Sequence, residues 1–179
     1  MIPELIDSGE IRRVLPLGRY LVTLDEIEAK FAPSTDQNRR EIFIEFKKML
    51  GLARQAFGFV CSVWIGGSFI TSEKNPHDID VVLVIHEDAF NTAKSSAIGQ
   101  FVLNRFSIKH GFGEKVDAYL LGVHPTNILN DRSTYLIQRG YWDQFWSKSR
   151  FEDPSDPRAM FPSAGYLEVI VDGFVERNE

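Results

Sequence analysis

Trp64-Ile65-Gly66-Gly67-Ser68-Phe69 and, one polar loop later, Asp78-Ile79-Asp80-Val81-Val82-Leu83-Val84-Ile85 decide how this chain is read. The first stretch continues the apolar run that begins at Phe59, so a buried strand over 59–65 leads straight into Gly-Gly-Ser. Two glycines let backbone N–H groups approach an anion closely, and the Ser68 hydroxyl adds a donor. A tight turn uses the same residues, so this stretch alone does not define a site. The second stretch is a β-branched strand over 78–85 that opens with two acids. Side chains at i and i+2 of a strand share a face, about 7 Å apart at ~3.3 Å per residue. Two carboxylates placed so repel each other unless a cation lies between them, and hard oxygen ligands suit Mg²⁺, though a strand-end pair facing water is the other reading of the motif taken alone. Ile79 and Val81 are expected to fill the opposite face. A third acid, Asp117, interrupts the apolar strand 115–121, either as a partly exposed strand-edge residue or buried, where it is costly unless paired or bound to metal.

Working outward, the flanks supply helices. Thr23-Leu24-Asp25-Glu26 is a capping box that opens a helix over 24–31, which Pro33 stops. Ser34-Thr35-Asp36-Gln37 is a second helix-start signal, for a helix over 36–57 whose Ile42, Phe46, Met49, Leu50, Ala53 and Phe57 form one apolar face and which Gly58 ends. Asn38, Arg39, Arg40, Lys47 and Lys48 fall off that face and read as solvated. One helical region is expected over 88–110, with Ile98, Val102 and Phe106 on a face, and another over 131–149. A loop over 151–164 precedes a last strand over 165–171. Residues 1–22 are mixed, broken by Pro3, Gly9, Pro16 and Gly18, and the polar tail 176–179 is expected to be mobile. The fold class is therefore α/β in the α+β sense, a mixed sheet of about four to five strands flanked by helices. It is read as a single domain over 1–179: an N-terminal arm and helices over 1–58, a core over 59–122, and a helix, loop and strand over 123–179.

The chain has 179 residues, 44% of them apolar, and a net charge of −5. That suffices for one core and excludes wholesale disorder. The acidic balance argues against a broad nucleic-acid-coating surface. One cysteine, Cys61, excludes an internal disulfide and a thiolate zinc site, and it reads as a small buried hydrophobe. No run approaches the ~18–20 apolar residues of a membrane span, and Met1 to Leu5 lack a signal-peptide pattern. A cytoplasmic location with no membrane partner is expected.

The order apolar-Gly-Gly-Ser, Asp-apolar-Asp on a strand, then Asp on a later strand resembles the nucleotidyltransferase superfamily that includes DNA polymerase beta. Ile65-Gly66-Gly67-Ser68-Phe69, Asp78-Ile79-Asp80-Val81 and Val116-Asp117-Ala118 carry the resemblance. A narrower likeness spans about 14–122. Leu15-Pro16-Leu17-Gly18-Arg19-Tyr20, Thr23 to Ile27 and Trp-Ile-Gly-Gly-Ser-Phe look like a group of small uncharacterised bacterial nucleotidyltransferase-like proteins. Their loop before the acids typically reads Pro-Asn-Asp-Ile-Asp, where this chain has Pro76-His77-Asp78-Ile79-Asp80.

The resemblance implies a DNA polymerase beta-like fold. It also implies Mg²⁺ (or Mn²⁺) held by Asp78, Asp80 and Asp117, and a nucleoside triphosphate, ATP favoured, whose phosphates meet Gly66, Gly67 and Ser68. The reaction would move a nucleotide monophosphate to a hydroxyl on a protein, an RNA such as tRNA, or a small molecule. A toxin–antitoxin or phage-defence setting with a neighbour-encoded protein partner fits small members of the superfamily. The alternative is a catalytically weak or inert binding module of the same fold. Because core and flanking helices use nearly all of this sequence, the acceptor is expected to be compact, recognised by 123–164, or brought by a partner.

Other residues are weaker candidates. His77, Lys74, Arg105, Lys109 and Arg150 could contact phosphate or acceptor, though turn or surface roles suit them. His110 and His124 have no carboxylate at a recognisable spacing. Trp142, Phe145 and Trp146 could stack a base, but spacing of i, i+3, i+4 favours core packing. A haloacid-dehalogenase-type phosphatase also uses Asp-x-Asp, but there the apolar strand leads into the acids, whereas here it follows them. An EF-hand fails because Val81-Val82 follow the acids and the loop glycine is absent.

Overall fold

The computed structural model describes residues 1–7, 9, 11–123, 134–148, 151, 153 and 155–174. Among them run β1 (Gly18–Leu21), α1 (Leu24–Phe31), α2 (Gln37–Phe57), β2 (Ser62–Gly66), β3 (Ile79–His86), α3 (Glu87–Ala93), α4 (Ala97–Phe106), β4 (Val116–Val123), α5 (Thr134–Ser147) and β5 (Gly165–Ile170). The fold is α+β, with one mixed sheet in the order β1-β5-β2-β3-β4. β1 and β5 are parallel, β2 is antiparallel to both its neighbours, and β3 and β4 are parallel.

Local chemistry sets the helix ends as the sequence predicts. Thr23 Oγ1 accepts from Glu26 N–H, and Glu26 Oε2 accepts from Thr23 N–H, closing the capping box at α1. Asp36 caps α2 by accepting from Arg39 N–H, and Gly58 ends it in the left-handed region at φ 69°.

The sheet has two unlike faces, because side chains alternate along each strand and register partners share a face. Val63, Ile65, Ile79, Val81, Leu83, Ile85 and Val116 point to one face, where α2, α3 and α4 cover them, and all are fully buried. Ile42, Phe46, Met49, Leu50, Ala53 and Phe57 of α2 are buried, as the spacing predicts. The other face carries Trp64, Gly66, Asp80, Asp117, Tyr119, Tyr166 and Glu168, with α5 lying across it. There Glu168 accepts from Trp64 Nε1–H at 3.0 Å and pairs with Arg19 Nε at 3.3 Å.

Three expectations need correction. Arg39 is not solvated: it is buried, and its guanidinium donates to the carbonyls of Phe31, Phe69, Thr71 and Glu73. The region 88–110 is not one helix. It breaks at 94–96, where Ser96 starts α4 by accepting from Gly99 N–H. A Cβ at Gly99 would lie 2.0 Å from the Ala93 carbonyl oxygen, so only glycine lets the two helices abut here. Finally, residues 18–21, read as irregular, form an edge strand whose partner β5 lies far along the chain. The polar tail 176–179 lies outside the described residues. Among the described residues no helix is long and apolar enough to cross a membrane.

Candidate active site

The site grows from one register pairing. Gly66 at the end of β2 sits opposite Asp80 near the start of β3, and Asp80 sits opposite Asp117 on β4. Neighbouring strands are about 4.8 Å apart, so the Asp80 and Asp117 carboxylates emerge side by side on the α5 face. Asp78, two residues before Asp80 at the lip of β3, joins them. All three line one cleft of about 360 Å³, together with Gly67, Ser68, His77, Lys109, Trp146 and Lys148.

The two glycines have different tasks. Gly67 has φ 71° and ψ −166°, a conformation essentially reserved to glycine. A Cβ there would lie 1.7 Å from Asp80 Oδ2, so the bare backbone presses against the carboxylate. Gly67 is exposed and Ser68 half-buried at the head of the 3-10 turn Ser68–Ile70, so both are available to a ligand. Gly66 is buried, and a Cβ there would lie 2.7 Å from the Trp146 indole, which covers it. It gives room for α5 to dock, and it is not among the residues that line the cleft.

Asp117 is 6% exposed, yet it borders the cleft. Its Oδ2 accepts from Tyr119 Oη–H at 2.9 Å. Burial, with the nearby Asp117 and Asp80 carboxylates adding to it, pushes the Tyr119 phenol up to about 12. Among the described residues one hydroxyl donates to Asp117, few donors for a buried carboxylate, which favours a cation beside it. His110, at φ 54°, brings Nδ1 to 3.8 Å from Asp78 Oδ2. Spacing along the chain gave no hint of that pair, because a turn delivers it.

Among the described residues no group of three His, Cys, Asp or Glu side chains is arranged to hold a metal ion. Mg²⁺ does not need one: it is commonly held by one or two carboxylates and completed by substrate phosphates and water. The register-paired carboxylates of Asp80 and Asp117, with Asp78 at the lip, fit that mode. They do not fit a closed all-protein cage.

The remaining sequence candidates divide. His77 and Lys109 reach the cleft, whereas Lys74 is not among its lining residues. Arg105 donates to the Gly111 carbonyl at 2.6 Å. Trp146 is buried, Trp142 packs on Tyr119 with ring centres 4.6 Å apart, and Phe145 is exposed, stacked on Tyr141 at 5.8 Å. His124 and Arg150 lie outside the described residues. Tyr119, Trp146 over Gly66, and the Arg39 clamp on the loop between Ser68 and Asp78 are the features sequence reasoning missed. A tyrosine two residues after the strand acid was the one available signal, since i and i+2 share a face.

A mixed five-stranded α+β sheet with three aspartates at one cleft is the class this molecule falls in. The chain belongs to a family of unknown function, DUF6932, whose model matches residues 9–170, the span that holds the whole sheet and the cleft. No curated protein and no solved structure matches it significantly.

Proposed function

We propose that the cleft is the active site of a Mg²⁺-dependent nucleotidyltransferase, working on a nucleoside triphosphate, ATP foremost, and a hydroxyl acceptor. The observation that carries this reading is the alignment of Asp80 with Asp117 across adjacent strands, with Asp78 beside them and the Gly67 backbone against Asp80. That arrangement concentrates negative charge where a cation and phosphate oxygens would meet. The Gly67–Ser68 turn offers N–H and O–H donors to the phosphates, and Lys109 and Lys148 place positive charge on the cleft wall.

Asp78, Asp80 and Asp117 would hold Mg²⁺, which when bound stabilises the attacking and leaving oxygens of an in-line displacement. The acceptor hydroxyl oxygen forms a bond to the α-phosphorus, and the bridging bond to the β-phosphate breaks. Pyrophosphate leaves, and the hydroxyl proton passes to Asp117. The protein's part is mostly orientation and fixed charge. A reducing, cytoplasmic setting agrees with the lone buried thiol of Cys61.

The test is incubation of the chain with each labelled nucleoside triphosphate, Mg²⁺ and cell extract. The expected result is label on a macromolecule or small acceptor with pyrophosphate release, abolished in Asp80→Asn while its circular dichroism and melting stay as in the parent. Transfer retained in Asp80→Asn would sink the assignment. Metal-dependent ATP binding without pyrophosphate release, coupled to tight association with a protein partner, would point instead to an inert binding module.

A further inference from the structure

Tyr119 is not explained by packing alone. It stands two residues beyond Asp117 on β4, so both side chains leave the same face of a rigid strand. Its ring is pinned against Trp142, with centres 4.6 Å apart. A phenylalanine would meet the strand preference and that ring contact equally well. What tyrosine adds is the hydroxyl, and the hydroxyl donates to Asp117 Oδ2 at 2.9 Å. Among the described residues this is the hydrogen bond that Asp117 receives.

We propose that Tyr119 is a positioning residue for Asp117: its hydroxyl fixes Oδ2 and leaves Oδ1 to meet a cation or an acceptor proton. A carboxylate turns readily about its last side-chain bond, because that torsion is broad. Holding one oxygen from a ring packed against Trp142 reduces this freedom before substrate arrives. Hydrogen bonds to metal-ligating carboxylates act in this way, and their loss typically costs 10–100-fold in metal affinity or activity. This inference rests on the metal-dependent reading of the cleft.

The test measures Mn²⁺ affinity by electron paramagnetic resonance, with the α,β-methylene analogue of ATP present, for four chains. These are the parent, Tyr119→Phe, Asp117→Asn and the double variant. The expected result is about 10–100-fold weaker Mn²⁺ binding in Tyr119→Phe, and no further loss when the same change is made in Asp117→Asn. A residue with a merely structural role would give additive losses. In turnover, kcat should fall in Tyr119→Phe while KM for ATP holds. Unchanged Mn²⁺ affinity in Tyr119→Phe, or an equal loss on the Asp117→Asn background, would overturn the positioning role and leave the nucleotidyltransferase reading standing. Mn²⁺ binding by the parent without any transfer would remove that reading, and the positioning role would still be judged by the affinities. A parent that binds no Mn²⁺ would overturn both.

Discussion

The two faces of the sheet are built on opposite terms. On the face under α2, α3 and α4, strand residues such as Val63, Ile65, Val81 and Leu83 are aliphatic and fully buried. On the face under α5, the same strands present Asp80, Asp117, Tyr119, Trp64 and Glu168, and nearly every polar atom there needs a named partner. Glu168 has Trp64 and Arg19, Tyr166 donates to Asp143 Oδ1 at 2.5 Å, and Asp117 has Tyr119. Burying apolar area stabilises at about 25 cal/mol per Å² and needs no specific partner. Burying a carboxylate costs stability unless its donors or cations are in place. Both faces contribute to the core, but the second sets Asp80, Asp117 and Glu168 among buried Trp64, Val82 and Val84.

The sharpest way to break the comparison is to damage the first face alone. Phe46 of α2 is fully buried, and Phe46→Ala should cost about 3–5 kcal/mol of stability, read as a fall in the urea midpoint. Transfer per folded molecule should be unchanged. Reduced transfer in the folded fraction would mean that the faces are coupled.

Gly67→Ala attacks the second face. Its Cβ would have to displace Asp80 Oδ2, which would stand only 1.7 Å away. Misplacing a reacting group by an ångström costs about 10²-fold in rate, so transfer should fall by at least that factor. Stability should fall by about 1–3 kcal/mol from the glycine-only backbone conformation. Steady-state kinetics beside urea unfolding separates the two effects, and an active Gly67→Ala would show that Asp80 does not need its present place.

The smallest effect concerns Cys61, a buried thiol in the apolar core whose pKa burial raises from 9.0 to about 11. Above about pH 9 the unfolded chain ionises this thiol while the folded chain keeps it neutral. Stability is thus complete below pH 9 and falls as pH climbs through about 11. Urea midpoints from pH 8 upward should decline less steeply in Cys61→Ala, and equal slopes would show that the apolar core does not resist the charge.

Much of the first face was legible because its signals are local. The apolar spacing of α2, the Thr23 box and Gly58 each act within one or two turns of helix. The acids of the second face were legible as types and spacings: Asp78, Asp80 and Asp117 all reach one cleft. Arg39 was misread because spacing only says that a residue lies off the apolar stripe. It does not say that four backbone carbonyls, of Phe31, Phe69, Thr71 and Glu73, will gather around that residue. The break at 94–96 was missed although Ser96 is a good cap, since Ile98, Val102 and Phe106 keep helical spacing across α4 and obscure the start. Of these, Ile98 is 42% exposed, so the spacing overstated that face.

By itself the sequence determined most of the strands and helices, β1 and the break between α3 and α4 excepted, and that two strands begin or carry acids. Those features follow from alternation, capping and turn chemistry, all set by residues a few positions apart. Only the tertiary structure decided that Asp80 and Asp117 are register partners, that Trp146 takes the space over Gly66, and that His110 turns toward Asp78. It also made β5 the bridge between β1 and β2. Each of these joins residues far apart in the chain, and their positions are fixed by sheet order and helix docking, which local preference does not encode.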